Sequence, residues 1–336
     1  MLNTLRASLA AAALLAMATT ATLAQEIVTR DNFARAETDR MFRDISMLAG
    51  GVNQFHHITE PTPLDQQTVI RMNLDTLYSG AVIDARAGAT ITVPEIPEGR
   101  YASVLLIDND HYAPAVFYDA GVHEVPHDTD FMFAAVRIQV FNPNDPKEIA
   151  LVNDLQKQFT IQAGSAEPLP PFNWDKTSLD ALRADLEEAS RSLPNFEGAM
   201  GPRGQVDAEK HLIATAAAWG LFPEQHATYF NDSPGLGTDR CYQATYSVPK
   251  NEAFWSITMY GATGFIEYPN AIVNSSNVVM NDDGTFTVHF GSEALCGDVP
   301  NRLDTPEGWN IMMRVYRPDA SVLGGGYVLP EVVAVP

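Results

Sequence analysis

The densest run of chemically capable side chains is Arg71-Met72-Asn73-Leu74-Asp75-Thr76-Leu77-Tyr78, which brings a guanidinium, an amide, a carboxylate and a phenol close together. On extended backbone Asn73 and Asp75 share one face while Thr76 and Tyr78 take the other, so the run serves a single site only if the chain turns within it. Two readings follow. In one, Asp75 is a general base, Asn73 lines a pocket and Tyr78 donates a hydrogen bond; in the other, the run is a buried polar network that fixes a junction between sheets. Arg71, Arg100 and Arg314 stand out in a chain poor in bases, since an arginine near a strand either pairs with a buried Asp or receives a substrate carboxylate. Trp255, Tyr260 and Tyr316 wall an apolar pocket or belong to the core.

Asp108-Asn109-Asp110-His111 ends a strongly apolar run. Asp108 and His111 could form an acid–base pair or hold a divalent cation, and the competing reading is an Asx-type turn. No cofactor is expected apart from that possible cation. His123-Glu124-Val125-Pro126-His127 has the zinc-protease spacing, but Pro126 breaks the helix that would aim both imidazoles at one metal. These histidines read as loop residues. His56 and His57 are adjacent, so on extended backbone they point to opposite sides.

These groups need a frame to position them. The 336 residues are 46% hydrophobic and 19% charged, which excludes a disordered chain. A net charge of −21 disfavours nucleic acid and anionic membrane surfaces as partners. Arg6, an apolar run from Leu9 to Met17 and small residues up to Ala24 form a signal peptide with cleavage expected between Ala24 and Gln25, so the mature protein is expected in the periplasm or secreted, without membrane insertion. In that compartment the only two cysteines, Cys241 and Cys296, are expected to pair.

Helical periodicity covers Thr29 to Ala49, Pro146 to Phe159, Ser178 to Leu193 and Ala208 to Trp219. Short β-rich runs bounded by Gly, Pro, Asn and Asp fill two regions, beginning with Val69-Ile70-Arg71 and returning after Pro223, where Val278-Val279-Met280 is one of them. Asn281-Asp282-Asp283-Gly284 reads as a hairpin turn. The fold class expected is mainly β with helical segments: two antiparallel sandwich-like domains, 25–143 and 223–336, joined by a helical middle, 144–222.

Asn73-Leu74-Asp75-Thr76-Leu77-Tyr78-Ser79 resembles the signature of the bacterial domain-of-unknown-function family numbered 1254, continued by Val93 to Tyr101 and Leu105-Leu106-Ile107-Asp108. Ala253 to Tyr260, Asn270, Asp283-Gly284, Pro306-Glu307-Gly308 and Arg314-Val315-Tyr316-Arg317-Pro318 are similar to the companion family numbered 1214. Where that family commonly has Asn-Trp-Leu-Pro, this chain has Asn301-Arg302-Leu303-Asp304. The resemblance implies two β domains with helices between them and, often, export. It implies no established reaction.

The expected activity is that of an exported, hydrolase-like enzyme acting on a small organic molecule held between the two β domains, with an arginine to orient an anionic group where the molecule carries one. Asp75, Tyr78, Asp108 and His111 are its candidate catalytic groups. Asn73, Arg71, Arg314, Trp255 and Tyr260 are its candidate substrate contacts. The alternative is a non-catalytic ligand-binding or scaffold protein using the same cleft.

Overall fold

The computed structural model describes residues 25–67 and 70–335. The signal-peptide segment and Val69 lie outside the described residues. Helix α1 (Phe33–Ala49) buries Phe33, Ala36 and Phe42 and ends on Gly50, whose φ of 83° suits a residue without Cβ. Seven strands follow: β1 (His56–His57), β2 (Thr76–Asp84), β3 (Ala89–Val93), β4 (Ala102–Asp108), β5 (Ala115–Phe117), β6 (Gly121–Glu124) and β7 (Phe131–Gln139). The middle of the chain carries α2 (Pro146–Gln156), β8 (Thr160–Ala163), α3 (Lys176–Ser190) and α4 (Ala208–Ala217). Asp145, Asp175 and Asp207 cap the three helices by accepting backbone N–H groups.

The C-terminal part contains β9 (Ala227–Asp232), β10 (Tyr242–Ser247), β11 (Trp255–Tyr260), β12 (Ile272–Asn274), β13 (Thr285–Phe290), α5 (Glu293–Cys296), β14 (Arg302–Leu303), β15 (Asn310–Tyr316) and β16 (Val333–Ala334). The fold is mainly β. One half packs sheet β1-β2-β7-β4-β5 on sheet β6-β3-β8 through Ile91, Val104, Leu106 and Val136. The other packs β12-β11-β15-β9 on β14-β13-β10-β16 through Trp255, Ile257, Phe286 and Val315. Cys241 and Cys296 are bonded at the rim of the latter.

Three expectations change. Strand β8 interrupts the helical middle and pairs with β3, completing the N-terminal small sheet. Ile70-Arg71 is a turn, with Arg71 at φ 59°, so no strand runs through it. Val278 to Met280 is not a strand: the Asn301 amide donates to Val279 O at 2.7 Å and accepts from Val279 N at 2.8 Å, so a side chain takes the place of a neighbouring strand. The zinc-protease spacing falls on β6 and the loop after it, where His123 stacks on Phe117 at 4.5 Å.

Candidate functional site

Strand alternation gives each large sheet a second face beyond its sandwich core. On β11, Trp255, Ile257 and Met259 enter the core, which turns Ser256 and Thr258 the other way. Register aligns Asn274, Ser256, Arg314 and Tyr229 in one row across β12, β11, β15 and β9. In the N-terminal sheet Tyr78, Arg137 and Ser103 form a row across β2, β7 and β4. The two rows meet beside an apolar cluster that joins Leu105 and Phe133 to Phe254 and Tyr316. Asn73 Nδ2 donates to Tyr316 Oη at 2.6 Å, Asn274 Nδ2 to Asp75 Oδ1 at 3.0 Å, and the Tyr101 and Tyr316 rings lie 5.3 Å apart.

The turn that the first motif requires is present. Asn73 Oδ1 accepts the Asp75 N–H at 2.7 Å, an Asx turn that lets the chain swing into β2. Asp75 thereby points into the junction and has no exposed surface. Burial raises its pKa above the ordinary carboxyl range, against the lowering influence of Ser256, Arg314 and Asn274. Ser256 faces the carboxyl without closing a hydrogen bond, so Asp75 Oδ2 and Ser256 Oγ are both buried without a partner.

Arg314, also buried, donates to Thr258 Oγ1 at 3.0 Å, to the Arg71 carbonyl at 2.8 Å and to Tyr260 Oη at 2.7 Å. Tyr260 in turn donates to the Met72 carbonyl at 2.8 Å. The Arg71 guanidinium bonds Asn310 and lies over the Tyr260 ring at 4.9 Å. Arg314 therefore fastens the Arg71–Met72 turn to the second domain. Arg100 has a different task, a two-armed ion pair with Glu148 at 2.8 and 3.0 Å.

Arg137 is the residue that sequence reading passed over. Its guanidinium carbon sits 4.0 Å from the Phe222 ring centre and 5.4 Å from that of Tyr78, and it donates to the Gly220 carbonyl at 3.2 Å and faces the Tyr229 hydroxyl. Its Nε has no partner. Tyr78, Tyr229, Tyr316 and Tyr101 surround it. Every described arginine other than Arg71, Arg137 and Arg314 lies within 4.0 Å of a carboxylate. The three exceptions all belong to this junction. Arg137, Tyr78 and Tyr229 are each half-buried and keep part of their surface accessible at the junction. Tyr229 also lines a cleft of about 930 Å³ on the outer side of β9.

The remaining candidates lie elsewhere. Trp255 does not wall the junction: it stacks on Phe286 at 4.3 Å inside the C-terminal core, because it has the parity of the core face. Asp108 accepts the N–H groups of Asp110 at 2.8 Å and Tyr112 at 2.9 Å and pairs with Arg203, so the Asx turn is what forms there. His111 Nε2 accepts the Gly220 N–H at 2.9 Å and Nδ1 meets Thr215 Oγ1 at 2.9 Å. Thr215 gives its own proton to the His211 carbonyl, so Nδ1 is the donor and the ring keeps no lone pair for a metal. Burial lowers the His111 pKa well below its usual value and holds the ring neutral. Among the described residues no group of three or more His, Cys, Asp or Glu side chains could hold a metal ion, and no helix is long and apolar enough to cross a membrane.

Residues 52–115 match the family described as protein of unknown function DUF1254, and residues 224–320 match the one described as protein of unknown function DUF1214. The chain carries both family segments in N-to-C order. No curated protein matches the sequence. The crystal structure of the VPA0106 protein from Vibrio parahaemolyticus superposes with a TM-score of 0.69 at 17% identity, covering 92% of this chain and 100% of that one. An uncharacterised protein from Burkholderia cenocepacia gives a TM-score of 0.52 at 15% identity, covering 90% and 86% respectively. These likenesses establish a shared β-rich fold.

Proposed function

We propose that this chain, with its DUF1254 and DUF1214 segments, is an exported protein that binds a small organic anion at the junction of its two β domains, with Arg137 as the counter-charge. The isolation of Arg137 carries this reading: it is permanently charged, enclosed, and without a carboxylate within 4.0 Å in a chain where acids outnumber bases 42 to 21. Enclosing a charge with no carboxylate beside it costs several kcal/mol, and a local rule broken in this way marks a functional position. Tyr78 and Tyr229 offer hydroxyls to the same anion and ring faces to an apolar body. Export is supported by the N-terminal pattern and by the Cys241–Cys296 bond, which persists in oxidising compartments.

Hydrolysis with Asp75 as base has less support, because Asp75 has no exposed surface and its Oδ1 is held by Asn274. The test is thermal shift followed by calorimetry with benzoate, short dicarboxylates and phosphate monoesters, each beside its neutral amide or alcohol. The acids are expected to raise the melting temperature and be recovered unchanged, the neutral analogues to do nothing, and Arg137→Met to abolish the response. A response that survives in Arg137→Met, or none to any acid, refutes the proposal. Turnover of an ester that Asp75→Asn abolishes replaces it with the hydrolytic reading.

A further inference from the structure

Strand β9 is the last strand of its sheet, and hydrogen-bond parity decides which of its backbone groups face outward. The Arg317 N–H donates to the His226 carbonyl at 2.8 Å, just beyond the β9–β15 ladder and in the same register. Thr228, Phe230 and Asp232 are therefore the residues that exchange hydrogen bonds with β15. Tyr229 and Asn231 turn their N–H and C=O groups to the free edge, and no described group bonds to them. An open edge of this kind is a template for another strand.

The cleft beside β9 runs along this edge. Tyr229 to Asp232 form one wall, and the segments around Asn195 and Tyr327 form the others. Its volume of about 930 Å³ takes several residues of extended chain, one strand spacing of about 4.8 Å from β9. Phe230 and Tyr327 pack at 5.4 Å, with Phe230 on the same face of β9 as Asp232, and supply an apolar surface for the methylene stems of basic side chains. The charge is one-sided: Glu197, Asp232 and Glu331 line the cleft, none has an ion-pair partner among the described residues, and no Lys or Arg lines it.

From this combination we infer that the cleft is a strand-addition site, in which an extended peptide with alternating basic and apolar side chains pairs with the free edge of β9. Main-chain hydrogen bonds to Tyr229 and Asn231 hold the peptide, and Asp232 and Glu331 receive its cations. Burial raises the Asp232 pKa in the free protein, and a bound ammonium reverses that cost. The site is separate from the anion site at Arg137. Tyr229 contributes its backbone to one and its side chain to the other.

The probe is a fluorescein-labelled Lys-Val-Lys-Val-Lys-Val peptide, blocked at its C-terminus, with the Glu-Val counterpart and a version N-methylated at alternate residues. Fluorescence anisotropy on the full chain is expected to register binding of the Lys-Val peptide that weakens with added salt. The Glu-Val and N-methylated peptides should bind at least about tenfold more weakly, as should the Lys-Val peptide to Asp232→Asn/Glu331→Gln. Asn231→Pro removes one outward N–H where no β15 bond is lost and should weaken binding similarly. Arg137→Met should leave it unchanged, which separates this test from that of the anion site. Equal binding of all three peptides, or no binding of any, overturns the inference. A concentration-dependent dimer that Asn231→Pro disperses assigns the edge to a second copy and overturns it too.

Discussion

Replacing Arg137 and Arg314 by methionine should give opposite results although both guanidiniums are enclosed in the same junction. For Arg137 the losses are one charged hydrogen bond, worth about 1.5–3 kcal/mol, and contacts with the Phe222 and Tyr78 rings, worth up to about 2 kcal/mol each. Against these stands the cost of enclosing a cation with no carboxylate beside it, several kcal/mol, while Met keeps most of the packing on Phe222. The terms offset, and Arg137→Met should change stability by no more than about 1 kcal/mol in either direction. Arg314→Met removes donors from Thr258 Oγ1, the Arg71 carbonyl and Tyr260 Oη where little water reaches. That loss should cost about 3–5 kcal/mol. Urea unfolding followed by tryptophan fluorescence and far-ultraviolet circular dichroism measures both, provided the two signals coincide. A loss above about 3 kcal/mol for Arg137→Met would make Arg137 a structural tie and remove the ground for calling it a ligand's counter-charge.

The Cys241–Cys296 bond, at a sequence separation of 55, should contribute about 4 kcal/mol by restricting the unfolded chain; dithiothreitol should lower the urea midpoint of the wild type and leave Cys241→Ser/Cys296→Ser unmoved. Burial raises the Asp39 pKa to about 6 despite hydrogen bonds from Trp174 and Asn109. The folded state thus holds this proton better than the unfolded one, so the Asp39 contribution is most favourable below pH about 4, declines through about 6 and is flat above, by about 3 kcal/mol in all. The stability difference between wild type and Asp39→Asn, followed across pH 4 to 7, should trace that decline, and a difference independent of pH would contradict it. Trp255→Ala should cost about 3–5 kcal/mol while leaving anion affinity per folded molecule unaltered in calorimetry, since its ring lies in the core.

Local chemistry made much of this readable before any coordinates. Gly50, Asp145, Asp175 and Asp207 end or start helices for reasons that a short window contains. The Asn281–Gly284 turn closes on itself with a 3.0 Å bond. Asn73, Asp75, Tyr260 and Arg314 could be singled out because capable side chains crowd residues 71–78, arginines are scarce in so acidic a chain, and Tyr260 is an aromatic in a β-rich run. Arg137 escaped because it sits within Phe131–Gln139, where its partner face is supplied by a domain far along the chain. Trp255 was misplaced for the related reason that β11 is buried on both sides, so burial alone does not assign a face. Its alternation with Ser256 and Thr258 held the signal: the apolar parity was the core.

The seam between the sandwiches has a bearing on how the chain assembles. Hydrogen bonds across it join residues as far as 243 positions apart, so the part of the N-terminal sheet's outer face that α1 does not cover through Phe42 must wait for nearly the whole remaining sequence. Contacts so distant form late and slowly. That face carries Leu105, Ile107, Phe131 and Phe133 beside Tyr78, Arg137 and Ser103, so until it is covered it exposes apolar surface that favours aggregation. Phe222, Phe254 and Tyr316 close over that face, so the C-terminal half shields the N-terminal one from sticking to its own copies.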